Sequence, residues 1–201
     1  MILQRSGVED VGQGLFVDLF VNTYGVTEGL NQIHEPAMPL VDHEFHKTKG
    51  FILSPYVVLP RSSRFAEMGA KRFALPTRRL IGIMTKIADE PVGRVYPDGG
   101  VSKPVTERDR MRLREGSSIA GDILVKAGAD SRSIVDSKSQ GAHPGGAAAI
   151  GKVVDKNLQT EADNLFVCDA SVLPTAPGMP PILTLVALSK RLAKMLVSSR
   201  R

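Results

Sequence analysis

Few side chains in this sequence have the type and setting to do chemistry, and His143 is the best placed. It sits in Ala142-His143-Pro144-Gly145-Gly146-Ala147, an imidazole among neighbours that are nearly all tiny. An imidazole titrates near neutrality and can accept or donate a proton at working pH. Small neighbours let a backbone or a flat ligand approach closely. A second group is Asp169-Ala170-Ser171, directly after the apolar run Leu165-Phe166-Val167-Cys168. Such a run predicts a strand buried on both faces, and ligands of α/β sheets gather where strands end. The third is Pro181-Ile182-Leu183, at the end of a proline-rich turn over 174–181. Proline there predicts a helix start, whose free N–H groups favour negative charge.

The other candidates are set aside on their chemistry. Gly146 to Lys152 matches GxxxxGK, but Val153 follows where magnesium binding needs Ser or Thr, and the preceding stretch is polar. Gly12-Gln13-Gly14 has Val17 at the third glycine position and no strand before it, so a dinucleotide fingerprint is missing. His43 and His46 would point to opposite faces of a strand at an exposed hairpin end, a poor metal pair. His34 has no partner visible in sequence. The single cysteine, Cys168, excludes an internal disulfide or a cysteine metal site and suits a reducing, cytoplasmic setting. The net charge of +5 is scattered, except in a tail without interleaved aromatics, which argues against nucleic acid. No signal peptide is evident and no apolar run approaches a membrane span, so no membrane partner is expected.

The elements that must position these groups predict an α+β protein, mainly antiparallel sheet with helices. With 42% apolar and 23% charged residues over 201 positions, the chain suits one large domain, or one domain and part of another. Residues 1–14 read as the end of a helix or loop. Strands are expected at 15–21, 38–41, 50–60 and 80–87, with a polar turn at 47–50 and Pro55 marking an edge or bulge. Residues 61–78 suggest a short helix. A hairpin is expected from 93–96 and 101–105 around Pro97-Asp98-Gly99-Gly100. Thr106 caps a helix with apolar positions Met111, Leu113, Ile119, Ile123, Leu124 and Ala127, ending near Gly128. A C-terminal helix carries core positions Leu185, Val186, Leu188, Leu192, Met195 and Leu196. The expected division is a sheet-and-helix part over 1–140 and a C-terminal segment over 141–201.

The order HPGG at 143–146, VVD at 153–155, NLFVCDASVLP at 164–174 and PPILTLVAL at 180–188 resembles a known signature. It is similar to the C-terminal signature of the glucose-methanol-choline (GMC) flavoprotein oxidoreductases, and ILQRSG at 2–7 resembles that family's middle region. The resemblance is strong over 141–197 and looser before. It implies an alcohol or sugar-like hydroxyl oxidised by hydride transfer to FAD over an antiparallel-sheet substrate domain. The C-terminal strand and helix would complete an FAD-binding α/β domain. The N-terminal dinucleotide-binding domain would then lie outside these residues, as a preceding domain or a companion chain. The resemblance implies His143 as the base. It places Asp169, Ala170 and Ser171 along the flavin and its ribityl-pyrophosphate. Pro181, Ile182 and Leu183 would form the helix start facing the flavin N1/C2 edge, where hydride transfer leaves negative charge. Pro181 stands where relatives carry a second His or Asn, and alanines fill 147–149 where relatives tend to have a hydroxyl and a basic residue. The alternative is a non-catalytic subunit or truncated remnant that binds a partner flavoprotein chain.

Overall fold

β-Branched and apolar residues concentrate at 19–26 and 80–87, and these stretches form the two longest strands among the described residues. The structure is a computed structural model that describes residues 2–30, 32, 35–57, 76 and 79–198. The expected helix over 61–78 and the reading of His34 lie outside the described residues. In order, the elements are α1 (Ile2–Arg5), β1 (Gln13–Leu15), β2 (Leu19–Val26), α2 (Glu44–Lys49), β3 (Phe51–Pro55) and β4 (Leu80–Ile87). β5 (Gly93–Val95), β6 (Val101–Ser102), α3 (Glu107–Lys126), β7 (Val135–Asp136), β8 (Gln140–Gly141) and α4 (Ile182–Ser198) follow. They sort into two compact units, one of Leu19–Ile87 and Glu107–Gly141, the other of Met1–Asp18, Ala88–Thr106 and Ala142–Arg201.

The first unit is an antiparallel sheet in the order β3-β4-β2-β7, with β8 also paired to β2. Every residue of β4 is buried, so both faces of the sheet are covered along its centre. Helix α3 lies on the face that carries Thr85 and Gly25. Its buried positions are Asp109, Leu113, Gly116, Ser117, Ala120, Gly121 and Leu124. This corrects the expected apolar face: Met111 is 57% exposed and Ile123 41%. Small residues win those positions because the helix sits close to the strands. A Cβ at Gly116 would collide with the Thr85 methyl. The polar turn expected at 47–50 is α2, ended by Gly50 in the left-handed region. Residues 38–41 form no strand, with bends at 38–40, although Asp42 bridges Leu53.

The second unit holds a small antiparallel sheet in the order β1-β5-β6, whose β5–β6 hairpin follows the sequence expectation. The strand expected over 15–21 is broken. Asp18 takes a positive φ of 49°, which separates β1 from β2. The unit's core comprises Val8, Ala148, Val153, Val154, Leu158 and Val172, with Leu188 and Leu192 of α4 packed against it. Residues 165–168 correct another expectation, for they are half-buried and irregular, not a strand buried on both faces. Their ladder is a single bridge from Phe166 to Gln159, beside a Val167 N–H to Leu158 O bond of 2.9 Å. Helix α4 has no buried residue, so Leu185, Leu188, Leu192 and Met195 are only half-buried. Val186 and Leu196 face out. Among the described residues, no helix is long and apolar enough to cross a membrane.

Candidate active site

The histidine loop is built by backbone pairing on the segment that ends in Asp18. The N–H groups of Ala142 and His143 both donate to the carbonyl of Val17, at 2.9 and 3.0 Å. Gly145 and Phe16 then exchange both of their backbone bonds, at 3.0 and 3.1 Å. Downstream, Gly146 N–H donates to Ala170 O at 3.2 Å and Ala148 N–H to Ser171 O at 2.9 Å. The glycines are required by this closeness. A Cβ on Gly145 would lie 2.6 Å from Ala170 O. Gly146 has φ of 87°, and a Cβ on it would collide with Gly14 O. His143 and the Ala170-Ser171 stretch, 27 residues apart in sequence, are thus fixed beside one loop.

Asp169 caps the 3-10 turn Ala170–Val172. Its carboxylate accepts the Ser171 N–H at 2.8 Å as well as the Ser171 hydroxyl, while remaining exposed. The chain then turns through 174–181 into α4. The first intrahelical bond runs from Leu185 N–H to Pro181 O at 3.0 Å. The N–H groups of Ile182, Leu183 and Thr184 therefore precede the helical ladder, as at any helix start. Pro181 is buried, whereas Ile182 is 64% and Leu183 84% exposed.

The imidazole of His143 has a carboxylate partner that sequence reasoning missed. Nδ1 lies 3.2 Å from Oδ2 of Asp18, whose side chain is fully buried. Oδ1 of the same carboxylate accepts the Gly178 N–H at 3.1 Å, which ties in the turn leading to α4. The preceding residue is held by Asp89, which accepts the Val17 N–H at 3.2 Å and pairs with Lys103 at 2.9 Å. The signal was present in Leu15-Phe16-Val17-Asp18-Leu19-Phe20-Val21, where one acid interrupts an apolar run. A charge in that setting is buried only with partners. His43 and His46 belong to the start of α2 instead of a strand. No cluster that could hold a metal occurs among the described residues.

The small-residue loop, the buried Asp18 with its His143 partner and the start of α4 all lie in one compact unit. The structure superimposes on formate oxidase of Aspergillus oryzae RIB40, solved in a study of FAD modification in that enzyme. The TM-score is 0.68 over 96% of this chain and 48% of that one, at 18% identity, a likeness of fold. Residues 95–189 match the family model described as GMC oxidoreductase. Over those residues the chain carries the C-terminal domain of the glucose-methanol-choline oxidoreductases, a family whose cofactor is FAD. It is also 33% identical over 186 residues to an uncharacterized protein of Methanocaldococcus jannaschii, covering 92% of this chain and 46% of that protein. To the long-chain-alcohol oxidase FAO3 of Arabidopsis thaliana it is 27% identical over 166 residues, with 60% of this chain and 22% of that one covered. The chain spans less than half the length of each of these relatives.

The residues present suit FAD on two structural counts. The start of α4 offers N–H groups ahead of its hydrogen-bond ladder, beside side chains exposed enough for a flat ring to lie against. The Asp169–Ser171 turn leaves a carboxylate and a hydroxyl near the surface, groups that could accept from and donate to ribityl hydroxyls.

Proposed function

We propose that this chain is the substrate-side part of a GMC flavoprotein that oxidises an alcohol-type hydroxyl, with His143 as the proton acceptor. One observation carries the reading. His143, the Ala170-Ser171 backbone and the turn into α4 are joined within a single unit, through Gly146, Asp18 and Gly178. Asp169, Ala170 and Ser171 would lie along the flavin, and the Pro181-Ile182-Leu183 helix start would face its electron-rich edge. When bound, FAD supplies the acceptor for the hydride that leaves the carbinol carbon. His143 takes the hydroxyl proton, so the substrate loses one proton and one hydride and becomes a carbonyl. Partly open, its side chain at 27% exposure is accessible to a small substrate yet held by its neighbours. Pro181 brings no side-chain donor or acceptor, so proton removal falls to His143 without a second imidazole.

The remaining FAD-binding surface comes, on this reading, from a preceding domain or a companion chain. The test is assembly of the chain with an FAD-binding partner encoded immediately upstream, followed by anaerobic mixing with a panel of primary alcohols and sugars. Loss of oxidised-flavin absorbance with at least one of them is the expected result. His143→Ala then slows that loss by about two to four orders of magnitude, the scale of a lost general base. Wild-type rates in that variant remove His143 from the chemistry, and an assembly without flavin overturns the wider reading.

A further inference from the structure

A histidine serves as a base only through a nitrogen that carries a lone pair, and something must decide which nitrogen that is. We infer that Asp18 is the positioning residue for His143, locking its ring so that Nδ1 carries the hydrogen and Nε2 presents the accepting lone pair. The inference deepens the reading of His143 as proton acceptor and rests on it for its catalytic consequence.

Geometry and hydrogen-bond capacity make the assignment. With Asp18 ionised its carboxylate is acceptor-only, so Nδ1 at 3.2 Å from Oδ2 is then the donor. A neutral imidazole with hydrogen on Nδ1 has its acceptor at Nε2. The carboxylate cannot swing away, because Oδ1 is engaged by the Gly178 N–H at 3.1 Å and the whole side chain is buried. The histidine backbone is held to the same dipeptide, since His143 N–H donates to Val17 O at 3.0 Å. Val17 is itself clamped by Asp89, whose charge is balanced by Lys103 at 2.9 Å, with both side chains at most 9% exposed. Both the main chain and the ring of His143 are therefore anchored to residues 17 and 18.

The backbone records the same priority. Asp18 adopts a left-handed φ of 49° in the middle of an apolar run, a conformation uncommon for non-glycine residues although Asp tolerates it better than most. That twist interrupts the strand expected over 15–21, and at this residue the carboxylate meets both the ring and the turn. When Nε2 accepts a proton, the new positive charge faces Asp18 across the Nδ1–H bond, which favours the charged form. The same carboxylate grips Gly178, so the proton acceptor and the approach to α4 are set by one side chain.

The test reads the tautomer directly, by long-range proton–nitrogen NMR of His143 in the 15N-labelled chain. The expected wild-type result is the Nδ1–H form, the minor tautomer of free histidine, with a lone pair at Nε2. Asp18→Asn, which keeps size and removes charge, is expected to give a mixture of tautomers and a more acidic titration midpoint. Asp18→Glu, which restores the charge, returns at least part of the wild-type signal. Nε2–H in the wild-type chain overturns the inference, whatever becomes of the catalytic reading. An unchanged tautomer and midpoint in folded Asp18→Asn do the same. If Asp18→Asn does not fold, the wild-type tautomer alone decides. In the assembled flavoprotein Asp18→Asn should lower kcat about 10- to 1,000-fold with little change in KM, shifting the acid limb of the pH profile. Should His143→Ala keep full turnover while the NMR results hold, the catalytic reading has failed and the Asp–His coupling has not.

Discussion

At the scale of single residues, the histidine loop is governed by how little space it has. Gly146 needs a φ of 87°, and its α-carbon faces the carbonyl of Gly14 with no room for a methyl group. Gly151 needs a similar φ of 83° but has nothing within 4 Å of its would-be Cβ. The pair separates backbone strain from collision. Gly151→Ala should cost about 1–2 kcal/mol, the penalty of a left-handed alanine. Gly146→Ala should cost at least about 1 kcal/mol more, because backbone atoms of β1 must also move. Equilibrium urea unfolding of the two variants measures the difference, and equal losses would show that the loop yields freely. Asp18 teaches the complementary lesson. The run LFVDLFV was read only as a strand, although an acid inside it signals a buried charge, and its partners lie 125 and 160 residues away in sequence. No local pattern names them.

At the scale of elements, legibility followed how far each one is specified by its own residues. Helix α3 and the β5–β6 hairpin were expected because a cap, an acidic first turn and a Pro-Asp-Gly-Gly turn are local signals. The buried face of α3 was misjudged, since Gly116, Ser117, Ala120 and Gly121 are selected by proximity to the sheet and carry no hydrophobic signature. Residues 165–168 have strand composition, but a strand needs neighbours, and among the described residues the run finds one bridge. Helix α4 is the clearest case. Its periodicity promised a core face, and Leu188 and Leu192 do rest on the Val154–Val172 cluster. Ile182, Leu183 and Val186 instead stand 64%, 84% and 58% exposed on its first two turns. Apolar exposure grouped on one element marks an interaction surface. Replacing Leu183 and Val186 together by Glu should leave the unfolding free energy within about 0.5 kcal/mol, as for other surface changes. The same variant should bind less of a hydrophobic dye and assemble poorly with an FAD-binding partner. A large loss of stability would mean that these side chains belong to the fold of the chain itself.

At the scale of the whole molecule, the site unit is assembled from three separate stretches, Met1–Asp18, Ala88–Thr106 and Ala142–Arg201. Composition and periodicity describe neighbours along the chain and are blind to such interleaving, so the motifs were legible and their company was not. The interleaving also decides what the two glycine-rich stretches can do. Phosphates of a dinucleotide are held by backbone N–H groups left free at a turn leading into a helix. Here Gly12 N–H donates to Ala147 O at 2.7 Å, and Gln13 pairs with Arg94 in the β1–β5 ladder. In the other stretch Gly146, Ala148 and Ile150 donate to Ala170, Ser171 and Val172, while Gly151 donates to Val154 O at 2.7 Å. Their N–H groups are committed to the unit's own backbone. Neither glycine stretch is therefore a phosphate cradle, and on the proposed reading it is the helix start and the polar turn that would face FAD. The purified chain should accordingly lose FAD on gel filtration and leave the fluorescence of added micromolar FAD almost unquenched. Adding the FAD-binding partner should convert that weak contact into stoichiometric, coloured complex. Stoichiometric flavin retained by the 201 residues alone would show that the phosphates are gripped somewhere other than either glycine stretch.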